Sequence, residues 1–209
     1  MPERMIEDML RAEYFSLLPE IRKVVWQLET EIRYETLSIL HSLNHYEQLI
    51  VKSRVKDCES AIRALQRRQE GRVFNSDRPE EYSLLTLPDL AGVRVLIFPR
   101  SRVVEVDGRL KGRFAGWTPD PVRDEGGIAL ALKYIGYCSG VSGKVRGEYQ
   151  VVPMLVGLFW EVEHSAMYKP DPSLRGIGTS TQMKMLKADV EDALKRFETG
   201  FESFVTETS

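Results

Sequence analysis

The sequence predicts an α+β fold: a small mixed β-sheet flanked by helices, with helical N- and C-terminal extensions. Three observations carry this expectation. Residues 3 to 70 keep a helical apolar period with nothing strand-like among them. The period shortens to two in Val93, Val95 and Ile97. Helical spacing then returns from Pro153 onward.

Taken in order, Met5, Met9, Leu10, Tyr14, Leu17 and Leu18 set the first helical stripe. Pro19 is placed to begin a second helix, because a first-turn N–H has no partner to lose. Ile21, Val24, Val25, Leu28 and Ile32 continue the stripe. This front half reads as scaffold or lid. A third helix is expected over 51–70, with Lys52, Lys56, Arg63 and Arg67 on one stripe and Val55, Cys58, Ile62 and Leu65 on another. Arg54 falls near the buried side of that helix and must face a polar hollow or an acid. The basic stripe is either a solvated face or a polyphosphate contact. Residues 71–83 read as loop, and VRVLIF as an inner strand that Pro99 ends. A short helix is expected over 100–111, followed by loop over 112–127 with a strand segment through Phe114 to Trp117. Strands are expected at 134–141 and 147–152, around a turn at 142–146. The next helix begins at Pro153 and stops at Pro170 and Pro172, and the last carries Met183, Leu186, Val190, Leu194 and Phe197.

Composition bounds the function. The chain has 209 residues, 43% apolar and 29% charged, enough for one domain with a sizeable core. Lys plus Arg is 29 against 31 Asp plus Glu, so bulk charge does not drive nucleic-acid binding, although a local basic groove remains open. Cys58 and Cys138 are too few for a secreted disulfide scaffold and are expected as free thiols. No apolar run has the length of a membrane span, and the acid-rich start has no signal-like core. The cytoplasm is the expected compartment, without membrane partners.

Several residues carry candidate chemistry. Asp89 precedes the buried strand and Arg94 lies on it, an ion pair or else a Mg²⁺ ligand beside a phosphate-binding arginine. Glu148 and Gln150, two apart on a strand, share one face at a sheet edge or in a cleft. Trp160, His164 and Tyr168 recur at i, i+4, i+8 on a helix, which makes His164 a core histidine or a phosphate contact. Tyr137 beside Gly136 is either packed or a stacking platform for a base. Three His without a Cys pair at ligand spacing argue against zinc. The chain has no Gly-rich dinucleotide fingerprint, no phosphate-loop motif and no G-x-S-x-G elbow.

Five pieces stand in order: SRVKDCES at 53–60, DLAGVRVL at 89–96, GYCS at 136–139, EYQVV at 148–152 and WEVEHSAMYK at 160–169. Together they resemble the RelA/SpoT-type nucleotidyltransferase (alarmone synthetase) domain, in its small stand-alone or toxin-like form. The resemblance spans about 50–170, leaving 1–49 as a helical extension and 181–199 as a helical tail of a single domain. It implies a nucleotidyltransferase-like sheet and an enzyme of the GTP/GDP diphosphokinase type, making (p)ppGpp by pyrophosphate transfer from ATP to a GDP or GTP 3'-hydroxyl. It also implies Mg²⁺ on Asp89 and Glu148, with Glu148 sharing the metal or activating the hydroxyl. Arg54, Lys56, Arg67, Arg68 and Arg94 would grip ATP and its phosphates. Lys133, Tyr137, Gln150, His164 and Lys169 would serve the acceptor.

The chain departs from the family pattern at named positions. Val141 stands where the pattern has His, Val152 where it has Arg, Pro153 where it has Thr, and Ala64 where it often has Lys. Leu132 and Ile135 replace its Pro and Asn. Two further readings follow: a toxin-like enzyme acting on the tRNA 3' end or an adenosine nucleotide, and an inactive nucleotide-sensing module. The terminal helices would then meet a second copy or an antitoxin.

Overall fold

A computed structural model of the chain describes residues 2–69, 71, 73–75, 77–123, 127, 129–140, 143–163 and 181–208. Helix α1 runs unbroken over Pro2–Ser42. Ile6, Leu10, Ile21, Val24, Leu28 and Ile32 recur along its inner face and are fully buried. Pro19 lies inside α1 and starts no new helix. It sits on the exposed face, where the carbonyl it leaves unbonded can meet water, so the ring costs little.

The expected helix over 51–70 divides. Gln48–Val55 form strand β1, and only Cys58–Gln66 are helical, as α2. Leu49 and Val51 alternate into the core while Lys52 and Arg54 point outward, a two-residue period on an edge strand. Asp57 caps α2, its side chain accepting from the Ser60 N–H at 2.9 Å. Lys52, Lys56, Arg63 and Arg67 therefore share no helical stripe.

Strand β2 (Ala91–Phe98) is followed by α3 (Val103–Arg113), near the expected bounds. No strand runs through Phe114–Trp117; the short strand β3 is Thr118–Pro119 and β4 is Val122–Arg123. β5 (Ala129–Gly136) starts earlier than 134 and ends at Gly136, and β6 covers Gly147–Pro153. Helices α4 (Met154–Glu163) and α5 (Thr181–Thr208) complete the described chain, α5 running past 199. The sheet order is β1-β2-β6-β5-β3, with β4 on β5. β2 and β6 are parallel; the β1–β2 and β5–β6 pairs are antiparallel, so the sheet is mixed.

The sheet separates two cores. On one face Val93, Val95, Tyr149 and Val151 pack with α1, α2 and α3 in the larger core. On the other, Leu96, Ala131 and Val152 are covered by Met154 and Val156 of α4. That second cover reaches only part of the face. The remainder is polar and holds the candidate site.

Candidate active site

Register builds the polar face. Lys52, Arg94, Gln150 and Lys133 stand side by side across β1, β2, β6 and β5. Arg54, Gly92, Glu148 and Ile135 form the adjoining row. The ladder between β1 and β2 extends one step further, the Lys56 N–H donating to the Leu90 carbonyl at 3.0 Å. Asp89, just before β2, thereby meets Lys56, just after β1. The Lys56 ammonium donates to the Asp89 carboxylate, and the Arg54 guanidinium is 3.8 Å from the same oxygen. Gly92 makes room for this: a Cβ there would lie 3.5 Å from Cγ and Nε of Arg54, which crosses over it.

Glu148 is only 5% exposed. Burial raises its pKa; the nearby Lys133 ammonium opposes the rise and the Asp89 carboxylate adds to it. Oε1 of Glu148 accepts from Gln150 Nε2 at 2.7 Å, and Gln150 Oε1 accepts from Arg94 Nε at 3.0 Å. Lys133 Nζ lies 2.5 Å from Asp120 and 4.0 Å from Glu148. Burial lowers the pKa of Arg94, and repulsion from Arg54 lowers it further. A guanidinium keeps its charge regardless, so two cations are held close, with Glu161 and Glu148 offsetting part of the repulsion at Arg94. Such an arrangement favours an incoming anion or a planar π-system.

The structure thus brings together Asp89, Glu148, Arg54, Lys56, Arg94, Lys133 and Gln150. Tyr137, 54% exposed, follows the end of β5 beyond Ile135 and Gly136, which pair with Glu148 and Gly147. Arg67 and Arg68 are exposed at the C-terminal end of α2, Arg67 as its cap and Arg68 donating to the Thr86 carbonyl at 3.3 Å. His164 and Lys169 lie outside the described residues, as does Val141. Trp160 packs against the second core and donates to Glu191 of α5 at 2.8 Å.

Lys52, expected on a basic helical stripe, is on strand β1 instead; it joins the Arg94 row and pairs with Glu161 of α4 at 2.7 Å, linking α4 to the edge strand. Helix α1 buttresses the same end of the sheet: the Tyr14 hydroxyl donates to the Lys56 carbonyl at 2.8 Å, and Arg33 donates to the Val51 carbonyl at 3.1 Å. The capping signal at Asp57 could have revealed Lys52, since it stops α2 short of the preceding residues. Val152 is fully buried in the second core, so the position that carries Arg in the family pattern is here a packing position. Ile135, in place of the pattern's Asn, is the apolar neighbour of Glu148. Among the described residues no group of three or more His, Cys, Asp or Glu gathers.

No protein-family model matches the chain, and no curated protein matches it. Solved structures do. Small alarmone synthetase 1 from Bacillus subtilis superposes with a TM-score of 0.67 at 19% identity, covering 94% of this chain and 98% of that one. The chain has the small alarmone synthetase fold. The same Bacillus protein bound to its product pppGpp gives 0.67 at 18% identity, with the same coverage. A GTP pyrophosphokinase family protein from Streptococcus pneumoniae gives 0.62 at 19%, covering 94% and 96%. Among the described residues no helix is long and apolar enough to cross a membrane.

Proposed function

We propose that the chain is a pyrophosphokinase that moves the β,γ-diphosphate of ATP to the 3'-hydroxyl of a guanosine nucleotide. The observation that carries this reading is the pairing of Asp89 and Glu148 on a cation-lined sheet face in this fold. Arg54, Lys56 and Arg94 would take the triphosphate and adenine, because three converging cations match a polyanion and its base. Asp89 and Glu148 would hold Mg²⁺, an ion satisfied by one or two protein carboxylates with waters and phosphate oxygens completing its shell. Bound there, the ion screens the phosphate charges. The 3'-oxygen forms a bond to the β-phosphorus, the bond from that phosphorus to the α–β bridging oxygen breaks, and AMP leaves. The hydroxyl proton passes to Glu148, the carboxylate beside the end of β5 that leads to Tyr137. Gln150, bonded to both Arg94 and Glu148, fixes the donor side against the acceptor side.

The test is incubation of the protein with γ-labelled ATP and, separately, GDP, GTP, ADP and bulk tRNA. Label should move to GDP or GTP, and AMP should appear in equal amount. Asp89→Asn should lower transfer at least about a thousandfold, the order expected when a group that stabilises transition-state charge is lost, while the melting temperature stays within a few degrees. Label on tRNA or ADP instead would replace the acceptor assignment. Normal transfer by the variant would overturn the role of Asp89.

A further inference from the structure

A cavity of about 570 Å³ opens at the end of the sheet, beside Tyr137. Its walls include Phe114, Trp117 and Tyr137, with Arg113, Arg146 and a carboxylate from α1, Glu31. Ile135 and Gly136 also line it; Ile135 stands in the Glu148 row, whereas Gly136 faces Trp117 on the α1 side, so the cavity lies at the strand end on the α1 side of the sheet, around the end of β5 from that row. Trp117 packs on Phe114 and Tyr149 along the α1 side of the strand end. A Cβ on Gly136 would lie 2.5 Å from its ring.

Glu31 is a carboxylate inside an aromatic-walled cavity, its side chain 18% exposed. It is held in place. Arg113 Nε lies 3.2 Å from Oε2, and Gln27 Nε2 donates to Oε1 at 3.0 Å. Gln27 also donates to the Ser139 carbonyl, tying the carboxylate to the segment that carries Tyr137. Its charge reaches into that segment, adding to the burial that raises the Cys138 thiol to about 11. An ionised carboxylate only accepts hydrogen bonds, and each oxygen has more than one lone pair. The base edge that suits it presents donors alone. Guanine offers N1–H with the 2-amino group beside it, hypoxanthine offers N1–H only, and adenine turns an acceptor nitrogen toward the acid.

We infer that Glu31 is a specificity-determining residue of the acceptor site, reading the N1–H and 2-amino edge of a purine stacked on Tyr137. This rests on the acceptor reading given above. Arg113 and Gln27 are the positioning residues that aim it. Arg146, which also lines the cavity and donates to the Thr86 carbonyl at 2.7 Å, adds a cation there for the nucleotide's phosphates. The discrimination has two parts, a charge-assisted bond pair gained with guanine and a lone-pair clash imposed on adenine.

The experiment is calorimetric titration of the full chain, saturated with a non-hydrolysable ATP analogue, with GDP, inosine diphosphate and ADP in turn. GDP should bind at least tenfold more tightly than inosine diphosphate, and ADP most weakly. Glu31→Gln keeps the size of the side chain and a bond to Arg113, so it should bring the GDP to inosine diphosphate ratio close to one. A purely structural ion pair predicts something else, namely a lower melting temperature with all three affinities falling together. That outcome overturns the inference, as does equal binding of the two oxopurines by the unaltered protein or failure of all three to bind. Transfer assays on the same samples separate the two claims: guanine discrimination that depends on Glu31 without any transfer would sink the pyrophosphokinase reading alone.

Discussion

Single side chains decide how this sheet can be both core and site. Val152 and Gln150 lie on the same face two positions apart, yet one is fully buried under α4 and the other bonds to Arg94 and Glu148. The face therefore changes from apolar to polar within one strand repeat. Restoring the family pattern with Val152→Arg would put a charge into the packing of Leu96, Ala131 and Met154. It should destabilise the protein by roughly 3–5 kcal/mol, the cost of an uncompensated buried charge, read as a fall in the denaturation midpoint with no gain in activity. Gly136 is constrained from the opposite side. Gly136→Ala would push its methyl against Trp117, costing about 1–3 kcal/mol of overpacking. A shifted Trp117 fluorescence spectrum and weaker acceptor binding are the expected readouts.

Among the elements, α5 is held unusually. Its buried face carries Glu191 and Glu198, while Met185, Leu186, Phe197 and Phe204 are exposed. Glu191 accepts from Trp160, Lys187 pairs with Glu163 at 2.9 Å, and Glu202 accepts from the Ser101 N–H at 2.8 Å. Glu198 is fully buried, and neither of its oxygens has a hydrogen-bond partner among the described residues. Burial raises its pKa to about 7, with Arg100 opposing the rise and Glu202 adding to it. A raised carboxyl value means that the packed helix holds the proton more tightly than the free one. The penalty is absent below the ordinary carboxyl range, grows as pH rises from there to about 7, and is complete above that. The protection factors of 181–208, the intrinsic exchange rate at each pH divided by the observed rate, should therefore fall as pH rises from 5 to 8, and Glu198→Gln should make those factors pH-independent. The sequence revealed α5 through Met183, Leu186, Val190, Leu194 and Phe197, but an apolar period alone cannot say which side meets the protein. It also revealed α2 while hiding β1, because the spacing of Val55, Cys58, Ile62 and Leu65 runs on backward into the strand. The strand's own alternation, Leu49 and Val51, is too short to compete.

At the scale of the whole molecule, α1 spans the large core from α2 to α3 and touches β1, β2 and β6. Tyr14 and Arg33 bond to the backbone around the cations of β1, and Glu13 accepts from Ser83 Oγ at 2.5 Å and the Leu84 N–H at 2.9 Å, bracing the approach to Asp89. Removing residues 2–18 would strip Ile6, Leu10 and Tyr14 from the core, so the shortened chain should lose its cooperative thermal transition by circular dichroism. Asp89, Arg94, Glu148 and Gln150 could be placed from sequence because they sit within or beside short strands whose alternation is plain. Glu31 could not. It is one acid among many on a 41-residue helix, and only the packing of α1 across the sheet end brings it beside Tyr137.

The three tryptophans occupy three different surroundings. Trp26 stands on the outer side of α1, 70% exposed; Trp117 closes the wall beneath Gly136; Trp160 is bonded to α5. The molecule therefore carries its own set of optical probes. Trp26 should supply a red-shifted background, quenching at Trp117 should follow occupancy of the cavity, and the blue-shifted share from Trp160 should track the seating of the tail, so stopped-flow emission of one unlabelled sample should time ligand arrival and tail release separately.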